Sequence, residues 1–173
     1  MTPEGQGLNE FELIWRFSDA QRYTQLTPDE FSRFRPTSPK DGLGLWEKYV
    51  YPGSNKRERH LTELYVRKLI EWPDSPTFRS STEKEEKRVV HTLRQEIPAT
   101  ETSALLFFWH AEVCVKTDWG LFLDHWDDFC YPSDDSNVIV LPGVEKAVIY
   151  IEENWHILSR KRGKPIFARR TLC

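Results

Sequence analysis

Apolar and polar positions alternate most strongly in the middle of the chain. Across residues 104–115, Leu105, Phe107, Trp109, Ala111, Val113 and Val115 fall on one face of an extended strand. The other face reads Leu106, Phe108, His110, Glu112, Cys114, apolar at first and polar at its end, which predicts a single central strand opening towards a surface. The period then lengthens. Thr117 and Asp118 offer a cap and an acidic first turn, and Trp119, Phe122, Leu123, Trp126 and Phe129 recur at three-and-four spacing until Pro132 bars continuation past Tyr131. This predicts one aromatic-anchored helix that leaves Asp118, Asp124, His125, Asp127 and Asp128 in water.

The flanking segments carry weaker versions of the same two periods. Residues 1–8 are polar and read as a flexible amino terminus, with residues 9–173 as one domain. Phe11, Leu13, Trp15 and Phe17 alternate with Glu12, Ile14 and Arg16, predicting a first strand. Thr27-Pro28-Asp29-Glu30 has cap, first-turn proline and capping-box acid in order, hence a helix, kept short by Pro36 and Pro39. Residues 36–54, with Gly42, Gly44 and Pro52-Gly53, receive no assignment. Leu61, Leu64, Tyr65 and Leu69 predict an amphipathic helix over 55–71, ended near Trp72-Pro73. Residues 75–81 read as a linker; Thr82 and Glu85 form another capping box, before the buried stripe Val89, Val90, Leu93, Ile97. Past Pro132, β-branched and aromatic runs at 138–141, 147–151 and 155–158 are separated by turn residues and predict an antiparallel meander, with a further strand at 165–168. The expected fold is α+β, a mostly antiparallel sheet with helices packed on one face.

Composition narrows the function classes. A chain of 173 residues is long enough to bury roughly 70 % of the surface its unfolded form exposes. With 24 basic and 27 acidic residues the net charge is −3, which argues against general nucleic-acid affinity. The mean conceals a polarity: residues 118–135 hold six aspartates and no Lys or Arg, while residues 160–170 hold Arg160, Lys161, Arg162, Lys164, Arg169 and Arg170 with no acid. Cys114, Cys130 and Cys173 make no paired framework and lack zinc-site spacing, so a reducing cytoplasm is expected. No export signal and no membrane span are read, and no cofactor is implied.

Two chemistries compete for the central segment. His110, Glu112, His125 and His156 would, if they converged, make a metal site for a small hydrolase, although none stands at a recognised ligand spacing. Asp124, Asp127, Asp128, Asp134 and Asp135 instead form an acidic surface suited to a basic protein partner, with Trp126 and Tyr131 as aromatic anchors. The same carboxylates also suit an acid–base pair or a divalent cation, but a solvated helix face is the commoner outcome of such a run. Cys114 and Cys130 lie among aromatics, a setting for packing rather than nucleophilic attack. The basic runs 56–60 and 160–170, with Trp155 and Phe167 for stacking, form a weaker nucleic-acid reading. Glycine-rich phosphate loops, Gly-x-Ser-x-Gly and His-Glu-x-x-His are absent from the sequence.

The run Tyr131-Pro132-Ser133-Asp134-Asp135-Ser136-Asn137-Val138 follows an aromatic helix and precedes a hairpin ending Trp155-His156-Ile157-Leu158. In this, residues 104–158 resemble certain small bacterial proteins of unknown function and, loosely, the immunity proteins encoded beside polymorphic toxins. The resemblance implies a stand-alone cytosolic α+β domain that neutralises a toxin by covering it, and an acidic face suits basic nuclease toxins. The expected function is therefore non-catalytic protein binding, with a metal-dependent hydrolase as the alternative.

Overall fold

The alternating segments assemble into one seven-stranded sheet in the computed structural model, which describes residues 10–21, 23, 25–52, 77–134, 136–161 and 163–167. Its strands are β1 (Arg35–Pro36), β2 (Thr77–Arg79), β3 (Ala104–His110), β4 (Val113–Asp118), β5 (Asn137–Val140), β6 (Lys146–Ile151) and β7 (Asn154–Ser159). They lie in the order β1-β4-β3-β5-β6-β7-β2, and every pairing is antiparallel. The helices are α1 (Trp15–Ser18), α2 (Pro28–Arg33), α3 (Pro39–Tyr49), α4 (Glu83–Glu86), α5 (Val89–Glu96), α6 (Trp119–Asp124) and α7 (Trp126–Phe129). The α+β class and the meander β5-β6-β7 are as expected; the predicted helix over 55–71 lies outside the described residues.

Strand alternation sorts the core into two layers. On one face Leu105, Phe107 and Trp109 of β3, Ile139, Tyr150, Trp155 and Ile157 meet Phe17, Phe34, Leu93, Phe122 and Phe129 from the helical layer. Trp109 finds a partner for its buried indole N–H in the Phe129 carbonyl, 3.1 Å away, so α7 is tied to β3 by a bond as well as by rings. On the other face Leu106, Phe108, Val138, Val140, Ile149 and Leu158 pack against Trp46 and Val50 of the α3 region and Phe167. The sheet thus carries its main helical layer on one face and α3 on the other.

Several local expectations are corrected. The strand predicted over 104–115 is a hairpin, β3 and β4 joined at Ala111-Glu112. Phe107 pairs with Val115 and Leu105 with Thr117, so away from the turn odd positions face odd positions and the two strands share one alternation. A register shift between Phe108 and His110 absorbs the extra residue, and Ala111 turns into the opposite core layer. The first strand expected over 11–17 is helical turn, with Ile14 N–H donating to Phe11 O at 3.0 Å and Phe17 N–H to Ile14 O at 3.0 Å. Phe11, Ile14 and Phe17 are spaced by three and share the buried side, while Trp15 is 43 % exposed. Seven residues satisfied both periods, and tertiary packing chose the helical one.

Cap chemistry held. Thr27 and Glu30 close a capping box on α2, and Thr82 and Glu85 close another on α4. The unassigned stretch contains α3, begun by Ser38 as cap and Pro39 in its first turn. Gly42 lets α3 approach closely, because a Cβ would lie 3.1 Å from the Glu112 carbonyl of the β3–β4 turn and push it by a few tenths of an ångström. The linker over 75–81 holds β2, whose Phe78 stacks on Trp155 with ring centroids 5.6 Å apart. Residues 165–167 form no strand; Phe167 N–H donates to Val50 O at 2.9 Å, and residue 168 lies outside the described set. Arg160, expected in a solvated basic tail, is buried and donates to the carbonyls of Leu141, Pro142 and Val144 at 2.8–3.0 Å. Trp155 and Phe167 are buried too, which removes both rings proposed for base stacking.

Candidate functional site

The predicted acidic helix breaks at His125, whose backbone leaves the helical region, into α6 and α7. That break decides which carboxylates reach solvent. Asp118 caps α6 by accepting from Leu121 N–H at 2.9 Å and is held by Arg33 at 3.0 Å, so it is not a free surface acid. Asp124 and Asp127 are exposed, whereas His125 and Asp128, both expected in water, are buried. Asp134 forms a two-pronged pair with Arg16, at 2.7 and 3.0 Å, and also accepts from Tyr131 N–H. Its carboxylate therefore holds the 131–134 turn to α1. Asp135 lies outside the described residues.

His125 links the α6–α7 break to α2. Its Nε2 lies 2.8 Å from Glu30 Oε1, and an ionised carboxylate can only accept, so Nε2 carries the proton. Its Nδ1 faces Asp128 Oδ2 4.0 Å away. The His125 bond, reinforced by the Thr27 backbone N–H, holds the Glu30 carboxyl at about 2, far below its usual 4.5.

Beside this chain lies a cleft of about 460 Å³, lined by Ala20, Tyr23, Ser80, Glu86, Trp126, Asp127, Asp128, Cys130, Tyr131, Pro132 and Tyr150. Four distant stretches build it: the residues after α1, those from β2 to α4, α7 with the turn beyond it, and β6. Trp126 packs edge-on against Trp155, 5.6 Å between centroids, and Tyr150 lies 4.8 Å from the same ring. Trp155 donates its indole N–H to Ser80 Oγ at 3.0 Å, anchoring the β2 end of the wall. Tyr131 sits 5.8 Å from Tyr23 and beneath the Arg16 guanidinium, 4.9 Å above its ring. Three carboxylates, Glu86, Asp127 and Asp128, line the cleft, and none of the described lining residues is Lys or Arg.

Its titratable groups limit the chemistry. Burial, with the neighbouring Tyr23 hydroxyl, pushes the Tyr131 phenol up to about 12, and burial raises Tyr150 as well, so both are neutral donors at physiological pH. Burial also pushes the Cys130 thiol well up, and Cys114 likewise, which keeps both as S–H and removes them as nucleophiles. What remains is a negatively charged concavity with ring faces.

The sequence-predicted residues divide accordingly. Asp127, Asp128, Trp126 and Tyr131 come together in the cleft, Asp124 stands exposed at the end of α6 and outside the lining, and Asp134 serves the fold. The histidines do not meet. His110 is at the exposed end of β3, 3.6 Å from Glu12; His125 is buried against Glu30; His156 is buried on the opposite sheet face, where burial lowers its proton affinity. Among the described residues no group of three His, Cys, Asp or Glu side chains could hold a metal ion, so the proposed His110, Glu112, His125 and His156 cluster does not form. Tyr23, Ser80, Glu86 and Tyr150 were not singled out from the sequence, since no local pattern joins residues so far apart.

No helix among the described residues is long and apolar enough to cross a membrane. No curated protein and no solved structure matches the chain. A family model described as "Protein of unknown function (DUF2947)" matches residues 6–158. The match agrees with a likeness to proteins of unknown function and carries no link to immunity proteins, to toxins or to a bacterial source. By that match, which spans most of its 173 residues, the chain belongs to the DUF2947 family.

Proposed function

We propose that the chain is a non-catalytic protein-binding domain that receives a basic partner on the acidic surface around the cleft. The observation that carries this reading is the lining itself: among its described residues, three carboxylates and four aromatic rings around a concave surface. Clustered charge of one sign steers a complementary partner, and half-buried Trp and Tyr are the side chains that anchor interfaces. The contact set is Glu86, Asp124, Asp127 and Asp128, with Trp126 and Tyr131 as anchors. Covering a basic toxin, the role implied by the resemblance to immunity proteins, is one form such binding takes. Buried free thiols at Cys114 and Cys130 support a reducing, cytoplasmic setting.

The test compares capture from the source lysate by the native protein and by a triple variant, Glu86→Gln, Asp124→Asn, Asp127→Asn. These positions are exposed, so folding is retained and checked by thermal unfolding. A basic protein held by the native bait and reduced at least tenfold with the variant is the expected result. Equal retention by both baits, or no specific protein on either, overturns the reading.

A further inference from the structure

We infer that the cleft is a binding site for a neutral sugar ring, its C–H faces against the Tyr131 and Trp126 rings and its hydroxyls paired with the carboxylates of Glu86 and Asp127 and the phenol of Tyr150. This goes beyond the protein-binding reading and does not depend on it. Nor does it depend on the net charge of the site, because a carboxylate accepts from a hydroxyl whatever cation lies near it. The cavity, about 460 Å³, lies within the range of roughly 300–1,000 Å³ typical of formed ligand sites and accepts a pyranose with ordered water.

Ring angles and the polarity of the lining select this class. Tyr23 and Tyr131 are tilted by 59° with centroids 5.8 Å apart, and Trp126 meets Trp155 at 69°, so these faces open as wedges and not as a parallel slot. A flat base is held best between parallel faces. A puckered ring instead presents C–H bonds to faces set at an angle, and their partly positive hydrogens suit the negative face of an aromatic quadrupole. The platform is set in advance: Arg16, clamped by Asp134, covers one face of Tyr131 at 4.9 Å and stands outside the described lining, which leaves the rest of that ring to the cleft. Trp155, bonded to Ser80 at 3.0 Å, steadies Trp126 and Tyr150, whose rings lie 5.6 and 4.8 Å from its own. Rings already fixed cost a ligand little ordering. Beside them stand groups for hydroxyls: Glu86 and Asp127 are exposed acceptors, and Tyr150, 1 % exposed, keeps its O–H because burial raises its phenol. A wholly apolar guest would strip water from these groups without replacing it, and an anion would face the two carboxylates.

The full chain is titrated with methyl glucopyranoside, methyl galactopyranoside and methyl mannopyranoside, following the indole N–H resonance of Trp126 by NMR. Cyclohexanol, a ring with a single hydroxyl, and arginine amide, a cation, are the controls. The glycosides differ in the direction of single hydroxyls, so the expected result is saturable movement of Trp126 with at least one of them, in the millimolar range and at least tenfold tighter than with cyclohexanol. A variant with Glu86→Ala and Asp127→Ala weakens that response at least tenfold with an unchanged melting temperature, since both positions are exposed. Tyr150→Phe, which keeps the buried ring, weakens it several-fold. Silence with all three glycosides, equal binding of cyclohexanol, tighter binding of arginine amide, or an undiminished response in the Glu86 and Asp127 variant overturns the inference. Each of these outcomes leaves the protein-binding reading to its own capture test.

Discussion

Replacing Glu30 by Gln should destabilise the protein in a way that disappears in acid. Gln keeps an acceptor at the third helical position, so the capping box with Thr27 survives, and only the charge opposite His125 is removed. A carboxyl whose proton affinity falls from 4.5 to about 2 on folding corresponds to about 3 kcal/mol of linked stability. The side chain keeps 19 % of its surface in solvent, and screening there reduces the expected figure to about 2 kcal/mol. The sign follows from the direction. Glu30 is more acidic folded than unfolded, so its contribution is complete above pH 4.5 and is lost as pH falls towards 2. His156, whose proton affinity is lowered by burial, loses stability as pH falls below 6.5 in both proteins and cancels in the difference. Urea unfolding followed by tryptophan fluorescence, at intervals from pH 7 to pH 2, should give a gap of about 2 kcal/mol at pH 6–7 that closes below pH 3. A His125→Asn background should erase most of the gap at neutral pH. A difference under about 0.5 kcal/mol at pH 7, or one that persists unchanged at pH 2, would refute the assignment of Glu30 to His125.

Other outcomes follow from side chains already placed. Asp134→Asn strands the buried Arg16 and should cost about 3 kcal/mol in urea unfolding, whereas Asp124→Asn, exposed on α6, should stay within about 0.5 kcal/mol. Glu153 holds a positive φ of 64° in the β6–β7 turn, so Glu153→Gly should raise stability by about 1 kcal/mol, read as a higher melting temperature. Cys114 and Cys130 should resist iodoacetamide at pH 8 in the native protein and react fully in urea, as mapped by peptide mass spectrometry; rapid native labelling of either would contradict their burial.

Much of the fold was legible where a local rule has one physical solution. Thr27 and Glu30, or Thr82 and Glu85, satisfy orphan helix donors in one arrangement only, and both boxes formed. The meander was readable because β-branched runs separated by turn residues leave few alternatives. Errors arose where two structures share a pattern: a hairpin with even register parity looks like one long strand, and Phe11, Ile14 and Phe17 satisfy helix as well as strand. The site was half legible. Asp127, Asp128, Trp126 and Tyr131 are near neighbours in the chain and could be grouped by charge and spacing. Glu86, Tyr23 and Tyr150 join them through tertiary contacts alone, and the burial of Asp128 depends on the break at His125 that helical periodicity does not encode. Asp134 belonged by sequence to the acidic run, yet Arg16, 118 positions away, claims it.

The two outermost strands decide how another chain can approach. At one margin β1 has two residues, Arg35 and Pro36, and the proline has no amide hydrogen to offer; at the other β2 has three, ending in Arg79. Short margins with proline and positive charge give an incoming backbone little to pair with, which is how natural sheets resist end-to-end accretion into fibrils. Strand addition, the mode by which many domains capture extended peptides, is therefore disfavoured at both described margins. On the proposed binding role, recognition then falls to what a partner's side chains present to the acidic surface, as a basic loop or helix of defined shape would.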